Sequence, residues 1–369
     1  MKKRSDENFK EYICDDPEEI FKMIEVGRHS DKLLRSKAGD ISLDTASKDT
    51  QTTAALKGFG FELSTLSLLK TANPLRQKYY YIENDEHYAF FTVYENRMNL
   101  FTFGKASWFM NIQTIAFPCS LSSPGFITDD MEWMLEYIKT IKGCKLVLNV
   151  TDKINVKGMS FGETLPTCIL SLRKEHKDID SFIDSLRAPY RRRINIALKK
   201  CAGIQTVLST DDSTDVHPLY LQTYERSEYK LECLCRDFFD KTEGKKIIFL
   251  SDGKPVGFVL LRVNGEELVF MLCGMDYPKE KCKDRVLNAD LYYYMLLTIV
   301  DYAIKHNCKT IDFGQTSEKT KLKFGAVLSK RYFYAHHSNP FLNLFAMTGK
   351  HMLEYKYDFP EFHVFKEQQ

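Results

Sequence analysis

At 369 residues, the chain has the length of about two domains at the usual ~100–200 residues each. Apolar residues make up 44% and charged residues 28%, a globular balance that excludes a collagenous, coiled-coil or largely disordered chain. With 52 Lys and Arg against 50 Asp and Glu, the net charge is +2, so no global field favours nucleic acid or an anionic membrane, and any basic patch must be local.

The opening MKKRSDENFKEYICDDPEEI is basic but lacks an apolar core and a small-residue cleavage site, so no secretory leader is expected and a cytoplasmic protein is. Asp16-Pro17-Glu18-Glu19 predicts a helix start, with a capping carboxylate, proline at the first helical position, an apolar stripe through Ile20, Met23 and Ile24, and Gly27 as its end. The polar stretch 42–53, SLDTASKDTQTT, predicts a surface loop or linker. Residues 1–53 are thus expected to be a helical segment with a polar loop, ahead of a first domain over 54–165.

Aromatic and β-branched runs at Tyr79–Glu83, His87–Glu95 and Met98–Phe103, broken at Asn84-Asp85 and Asn96, predict an antiparallel meander. A strand over Ile112–Phe117 precedes Pro118. Asp129 is then placed to cap a helix with Trp133, Met134, Tyr137, Ile138 and Ile141 at helical spacing, followed by Gly143 and a strand over Lys145–Val150. Ten cysteines run from Cys14 to Cys308 without a C-x-x-C pair, the pattern of small buried thiols in a reducing compartment. The close pair Cys233 and Cys235 falls in a predicted helix, where i and i+2 face apart and do not share a metal.

The second half repeats the order. Ile247–Leu250, the turn Asp252-Gly253-Lys254-Pro255, Val256–Val263, the turn Asn264-Gly265 and Glu267–Cys273 form a second meander. A long helix from Asn288 or Asp290 through Lys305 and a strand over Lys309–Phe313 follow. Its apolar stretch Leu291–Ile304 carries Asp301 and falls short of the ~20 residues of a spanning helix. Asn84 and Asp252 are 168 positions apart, and Cys144 and Cys308, at matching helix exits, 164. Near-constant spacing reads as two copies of one unit of mixed α/β class, the second over 166–369.

Between the copies lie a strand over Thr167–Leu172, a helix around Asp180–Leu186, and the segment Tyr190-Arg191-Arg192-Arg193-Ile194-Asn195-Ile196-Ala197-Leu198-Lys199-Lys200. With the DGKPVGF turn and IDFGQTSEKTKLKFGA, these resemble the double-domain branch of the GNAT acyltransferase superfamily: Fem-type peptidoglycan aminoacyltransferases and related polysaccharide-associated acyltransferases. The resemblance covers Thr167 to about Tyr334 and, in the first half, element order. It implies two tandem GNAT-like α/β domains, a pocket mainly in the second, and transfer of an activated acyl group to an amine. In the Fem-type pattern a lysine of F-K-x-G-F-G stands near the transferred carbonyl. The fit here is Lys321-Leu322-Lys323-Phe324-Gly325, with Lys321 at the matching position and Lys323 in place of the usual glycine.

Acyl transfer needs an anchor for the donor's phosphates, a neutral amine, and dipoles for the developing oxyanion. The N-terminus of the long helix offers backbone N–H groups and a positive dipole end, preceded by Lys281, Lys283 and Arg285. Arg285, Asn288 and Ala289 are therefore expected to bind the donor, although Arg285-Val286-Leu287-Asn288-Ala289-Asp290 lacks both glycines of the Q/R-x-x-G-x-G/A loop of GNAT proteins that use acetyl-CoA. Arg191, Arg192 and Arg193 stand ~100° apart on a helix and cannot all face one ligand. Arg192 and Arg193 are taken as phosphate contacts, and with Lys199 and Lys200 the segment also suits RNA backbone. Asp312, at the end of a strand before the flexible Gly314, is placed to accept an amine proton, and Lys321 or Lys323 to stabilise the oxyanion. Of Tyr292, Tyr293 and Tyr294, at most two can face a pocket. His336 and His337, adjacent on a predicted strand, are expected at the surface.

No G-x-x-x-x-G-K-[ST] or H-E-x-x-H occurs, which removes the usual sequence grounds for nucleotide hydrolysis or zinc proteolysis. The expectation is an N-acyltransferase with acyl-CoA or a carrier-protein thioester as co-substrate, an amine acceptor, no tightly bound cofactor and no metal. Aminoacyl-tRNA as donor, with tRNA as partner and a cell-wall precursor as acceptor, is the first alternative. A non-catalytic ligand-binding protein of the same fold is the second.

Overall fold

The computed structural model describes residues 2–6, 9–35, 55–99, 109–119, 121–209, 214–228, 230–277 and 288–366. The polar loop expected over 42–53 lies outside them. The chain divides into two compact units: unit 1 holds Met1–Pro166, Leu231–Phe238 and Lys330–Tyr357, and unit 2 holds Thr167–Lys230, Phe239–Ser329 and Asp358–Gln369.

Unit 1 opens with β1 (Lys2–Asp6) and β2 (Phe9–Cys14), an antiparallel pair. Two strands thus stand where the helical segment was expected to begin. The alternation of FKEYIC explains them: Phe9 reaches the rings of Trp133 and Tyr137, while Tyr12 on the other face stacks on Tyr81 at 5.8 Å. The helix expected next is α1 (Pro17–Glu25), its first turn closed by Asp16, which accepts from the Glu18 N–H at 2.8 Å. Then come α2 (Ser30–Leu33), α3 (Leu63–Ala72), β3 (Gln77–Asn84), β4 (Tyr88–Asn99), β5 (Phe109–Ile115) and β6 (Phe126–Thr128). After these, α4 (Met131–Thr140), β7 (Cys144–Val150) and β8 (Ser160–Glu163) complete this stretch.

Two local expectations shift. No turn forms at Asn96, which pairs with Ile112 inside a continuous β4. The cap of α4 is Asp130, which accepts from the Trp133 N–H at 3.0 Å, while Asp129 accepts from the Tyr88 N–H at 2.9 Å.

Unit 2 runs β9 (Thr167–Ser171), α5 (Ile179–Ser185), α6 (Ala188–Lys200), β10 (Gln205–Ser209) and α7 (His217–Arg226), and α8 (Arg236–Lys241) straddles the division, Arg236–Phe238 falling in unit 1. It continues through β11 (Lys245–Ser251), β12 (Lys254–Asn264), β13 (Glu267–Met275), α9 (Asn288–Lys305), β14 (Thr310–Asp312), α10 (Glu318–Leu322) and β15 (Val327–Ser329). Cys233 and Cys235 precede α8 in irregular chain rather than lying in a helix. The chain then returns to unit 1 as β16 (Tyr332–His337), α11 (Pro340–Thr348) and α12 (Lys350–Leu353).

Both sheets are mixed and follow one plan. In unit 1 the order is β1-β2-β3-β4-β5-β7-β16-β8, with β6 beside β4, and in unit 2 it is β10-β11-β12-β13-β14-β9-β15. Each contains an antiparallel meander, a helical crossover (α4 or α9) and a parallel pair (β5·β7 or β13·β14). These are the two copies read from the sequence spacing. Each parallel strand is then flanked by an antiparallel strand from elsewhere in the chain: β16 beside β7, and β9 beside β14. Chain continuity therefore does not follow the two copies. Unit 1 is left after Pro166 and rejoined over Lys330–Tyr357, so neither unit is one continuous stretch of chain. Helices cover the sheets: Met134, Leu135 and Ile138 of α4 pack in unit 1, and Met295, Leu296, Ile299 and Val300 of α9 in unit 2.

Register places His336 opposite Lys145. Lys145 is fully buried, its ammonium donating to the Ile141 carbonyl at the end of α4, a cation on the negative end of a helix dipole. Burial pulls its pKa down to about 8. His336 is half-buried rather than superficial; burial first, then the cations Lys145 and Lys139, holds its pKa down to about 4.

Two outcomes follow from these arrangements. A fragment ending at Pro166 leaves the β7 edge without β16, so it should show no cooperative thermal transition by circular dichroism where the full chain does; a cooperative melt would show that unit 1 closes without its returning strand. Because the unfolded chain protonates His336 near 6.5 and the folded chain only near 4, stability should fall as pH drops through that window. His336→Asn should flatten the fall, and an unchanged pH profile of the unfolding midpoint would remove His336 as its source.

Candidate active site

In unit 2 the described residues that gather chemistry lie where β14 ends. Asp312 is its last residue, paired across to Ile169 of β9 on one side and to Val269 of β13 on the other. The carboxylate is buried, and its Oδ1 accepts from the Thr167 hydroxyl and, at 2.7 Å, from the Gly314 N–H. Thr167 comes from β9, so the exchanged strand supplies part of the carboxylate's setting.

The chain then turns sharply. Gly314 has φ 72°, and Thr316 and Ser317 have φ 62° and 52°. Two successive non-glycine residues in the left-handed region are costly, at about 1–3 kcal/mol each, and such strain collects at functional loops. The turn aims the carbonyls of Gly314 and Gln315 at Lys321 of α10, whose Nζ donates to them at 3.1 and 2.7 Å. Lys321 is 2% exposed. An ammonium has three N–H donors, and among the described residues two are taken by these carbonyls.

Burial lowers the Lys321 pKa, while the carboxylates of Glu318 and Asp312 act in the opposite direction and favour the charged form. The nearby thiols are pushed up by burial, Cys168 to about 12 and Cys273 to about 11, so both remain neutral at physiological pH and neither is an activated nucleophile. Tyr292 faces the same region. Burial holds its phenol well above the ordinary range, and it hydrogen-bonds Ser317 of the strained turn.

The remaining expected residues divide. Lys323 is half-buried with its ammonium 6.0 Å from the Phe362 ring centre, away from the Lys321 carbonyl cage. Of the two lysines, Lys321 is therefore the one inside. Tyr293 and Tyr294 pack elsewhere, Tyr293 against Phe324 and Tyr294 edge-on to Phe249.

Arg285, with Lys281 and Lys283, lies outside the described residues. Asn288 begins α9 and Ala289 is exposed. Arg193, expected to contact the donor, is committed to that helix end. It pairs with Asp290 at 2.8 Å, donates to the Ala289 carbonyl at 3.4 Å, and lies 3.9 Å over the Tyr293 ring. Lys200 also pairs with Asp290, at 3.0 Å. Asp290 is a buried carboxylate in the first turn of α9, where it answers the helix dipole itself. Arg192 points to solvent. The structure thus sets Asp312 by Lys321, while Lys323 lies over Phe362, Arg193 is committed to Asp290, and Arg192 and Ala289 are exposed.

Sequence reasoning missed Thr167, the paired carbonyls, Glu318 and Cys273. Only the glycine at 314 signalled the turn, and nothing local marks Thr167 as the partner of a carboxylate so far along the chain. Among the described residues, no three His, Cys, Asp or Glu side chains gather as metal ligands and no helix is long and apolar enough to cross a membrane.

No family model matches the chain, and no curated protein matches it. Among solved structures it is similar to a tandem GNAT protein from the clavulanic acid biosynthesis pathway, at 10% identity and TM-score 0.44 over 90% of this chain and 99% of that one. It is similar to FemX at 13% identity and TM-score 0.43, over 75% and 92%. It is also similar to the C-terminal domain of a putative lysylphosphatidylglycerol synthetase from Agrobacterium fabrum at 12% identity and TM-score 0.44, over 72% and 85%.

Proposed function

We propose that the protein is an N-acyltransferase and that Asp312 and Lys321 carry the reaction. The observation behind this reading is the caged Lys321 ammonium: it is buried, held by two carbonyls of a strained turn, and set beside a carboxylate at a strand end. A fixed cation in a dry site stabilises an oxyanion without reorganising at the moment of reaction. In the proposed step the amine nitrogen forms a bond to the carbonyl carbon of an acyl thioester. The oxyanion that develops is met by the third N–H of Lys321, the amine's proton passes to Asp312, and collapse breaks the carbon–sulfur bond and expels the thiolate, which takes that proton and leaves as the thiol. Thr167 and the Gly314 N–H orient the carboxylate.

A thioester donor, acyl-CoA or a carrier protein, is the first reading. Aminoacyl-tRNA is the second and has its own support. Asp290 places a carboxylate in the α9 turn where a pyrophosphate would be expected, while Arg192 and Lys199 present cations outward from α6, a arrangement that suits a nucleic-acid backbone.

Lys321→Met should lower kcat by ~10²–10³-fold, the usual loss on removing an oxyanion donor, with the melting temperature held near that of the parent. Asp312→Asn should lower the rate with the fold retained. Retained turnover in both variants would sink the assignment. The alkaline limb should fall below the ordinary lysine range of ~10.4, because burial lowers the Lys321 pKa. The donors separate by binding: a thermal shift with acyl-CoA supports the thioester, whereas co-purifying tRNA that Arg192→Glu with Lys199→Glu removes supports the tRNA route. Absence of both, with no transfer activity, leaves the non-catalytic alternative.

A further inference from the structure

Helix α11 is amphipathic the wrong way round for a protein surface in water. Its outward residues are Phe341, Leu344 and Phe345, 78%, 59% and 67% exposed, flanked by Leu342 and Met347, and none of its residues is buried. Its inward side is polar. Asn343 donates to the Gly158 carbonyl at 2.8 Å and accepts from the His337 N–H at 2.9 Å, and the Ser160 hydroxyl donates to the Ala346 carbonyl at 2.9 Å. Asn339 caps the helix, accepting from the Phe341 and Leu342 N–H groups. The helix is therefore firmly held by hydrogen bonds, and its apolar side chains are displayed on a rigid mount rather than left out by fraying. Contiguous exposed apolar surface of this kind marks a site of association.

The charges around it select the occupant. From Ser338 to Leu353 there is no Asp or Glu. Lys350 follows the helix directly, and its ammonium and that of Lys153 lie 5.5 and 5.2 Å from the same Phe161 ring. Lys157 stands exposed beside the Gly158 that Asn343 holds. An apolar helix face rimmed by lysines is the pattern of a helix lying in the interface of an anionic bilayer, with rings in the acyl boundary and ammonium groups at the headgroups. At 9 residues it lies on such a surface and does not span it, since spanning takes ~20. A second copy fits less well. With ~150–250 Å² for a whole aromatic side chain, the five exposed residues offer on the order of 500 Å² per copy, short of the ~800 Å² per partner of a stable interface.

We propose that α11, with Lys153, Lys157 and Lys350, is a docking surface for an anionic lipid bilayer. The proposal is independent of the transfer chemistry and of the donor.

The test is co-sedimentation of the full chain with vesicles of phosphatidylglycerol and phosphatidylcholine, against vesicles of phosphatidylcholine alone. The expected result is stronger binding to the anionic vesicles. Phe341→Ser, Leu344→Ser and Phe345→Ser together should weaken it at least about tenfold, and Lys153→Glu, Lys157→Glu and Lys350→Glu together should abolish the preference for anionic lipid. Far-UV circular dichroism should be unchanged in both. The proposal is overturned if the parent chain does not sediment with anionic vesicles, or if the triple serine variant binds them as well as the parent. It is also overturned if light scattering without lipid shows a dimer that this variant converts to monomer, which would assign the face to a second copy.

Discussion

A strand inside a sheet must have hydrogen-bonding neighbours on both sides, because an unpaired buried N–H or C=O is costly. In this protein that requirement is met out of sequence order. β7 and β14 each lie parallel to the last strand of a local meander, and each needs an antiparallel strand on its other edge. β7 receives β16, which follows β15 in the chain, and β14 receives β9, which follows β8. Because register is fixed wherever a face is buried, these two insertions decide which side chains meet. Thr167 comes to Asp312, His336 comes to Lys145, and α11 is carried to β8 and β16.

The chemistry at the end of β14 follows from the same pairing. The Cys168 N–H donates to the Gly314 carbonyl at 3.2 Å and the Phe313 N–H to the Cys168 carbonyl at 2.9 Å, so β9 holds the chain just where it leaves the strand. Held there, Gly314 to Ser317 adopts a left-handed path that an unsupported loop would relax from. The path presents carbonyls to Lys321, and those dipoles, with Asp312 and Glu318, offset the burial of a cation that would otherwise favour losing its proton. In the same unit, the Arg193–Asp290–Lys200 cluster ties α6 to the start of α9. A buried carboxylate with two cationic partners is worth keeping intact, since removing one partner leaves charge without compensation.

How much of this could be read in the residues depends on the range of the interaction. The α1 cap at Asp16, the DGKP and NG turns, the helix from Asn288 and the paired meanders all rest on neighbours within a few positions, and each appears where the local pattern puts it. Short-range pattern also failed in identifiable ways. β2 is only six residues, and its alternation was outweighed by the stronger helix signal that follows. Asn96 reads as a turn residue, yet pairing with β5 carries it through. The orientation of the lysine pair of KLKFG was not legible, because which of Lys321 and Lys323 turns inward depends on where the preceding loop places its carbonyls. Arg193 read as a ligand contact because its partner, Asp290, is distant in sequence.

The sequence by itself determined the mixed α/β class and the two copies at a spacing of 164 to 168 positions, and it put Asp312 and Lys321 in one short segment. Periodicity, turn chemistry and capping act between residues a few positions apart and need no knowledge of the fold. The tertiary structure alone decided that the copies exchange their completing strands, that Lys321 rather than Lys323 is caged, and that Arg193 neutralises Asp290. It also decided that α11 turns its apolar side outward. The residues of α11 would serve equally well as a core helix; Asn343, bonded to Gly158 and His337, sets which side faces in. Each of these outcomes is a pairing across long stretches of chain, where the energy lies in satisfying buried polar groups and no local pattern records the partner.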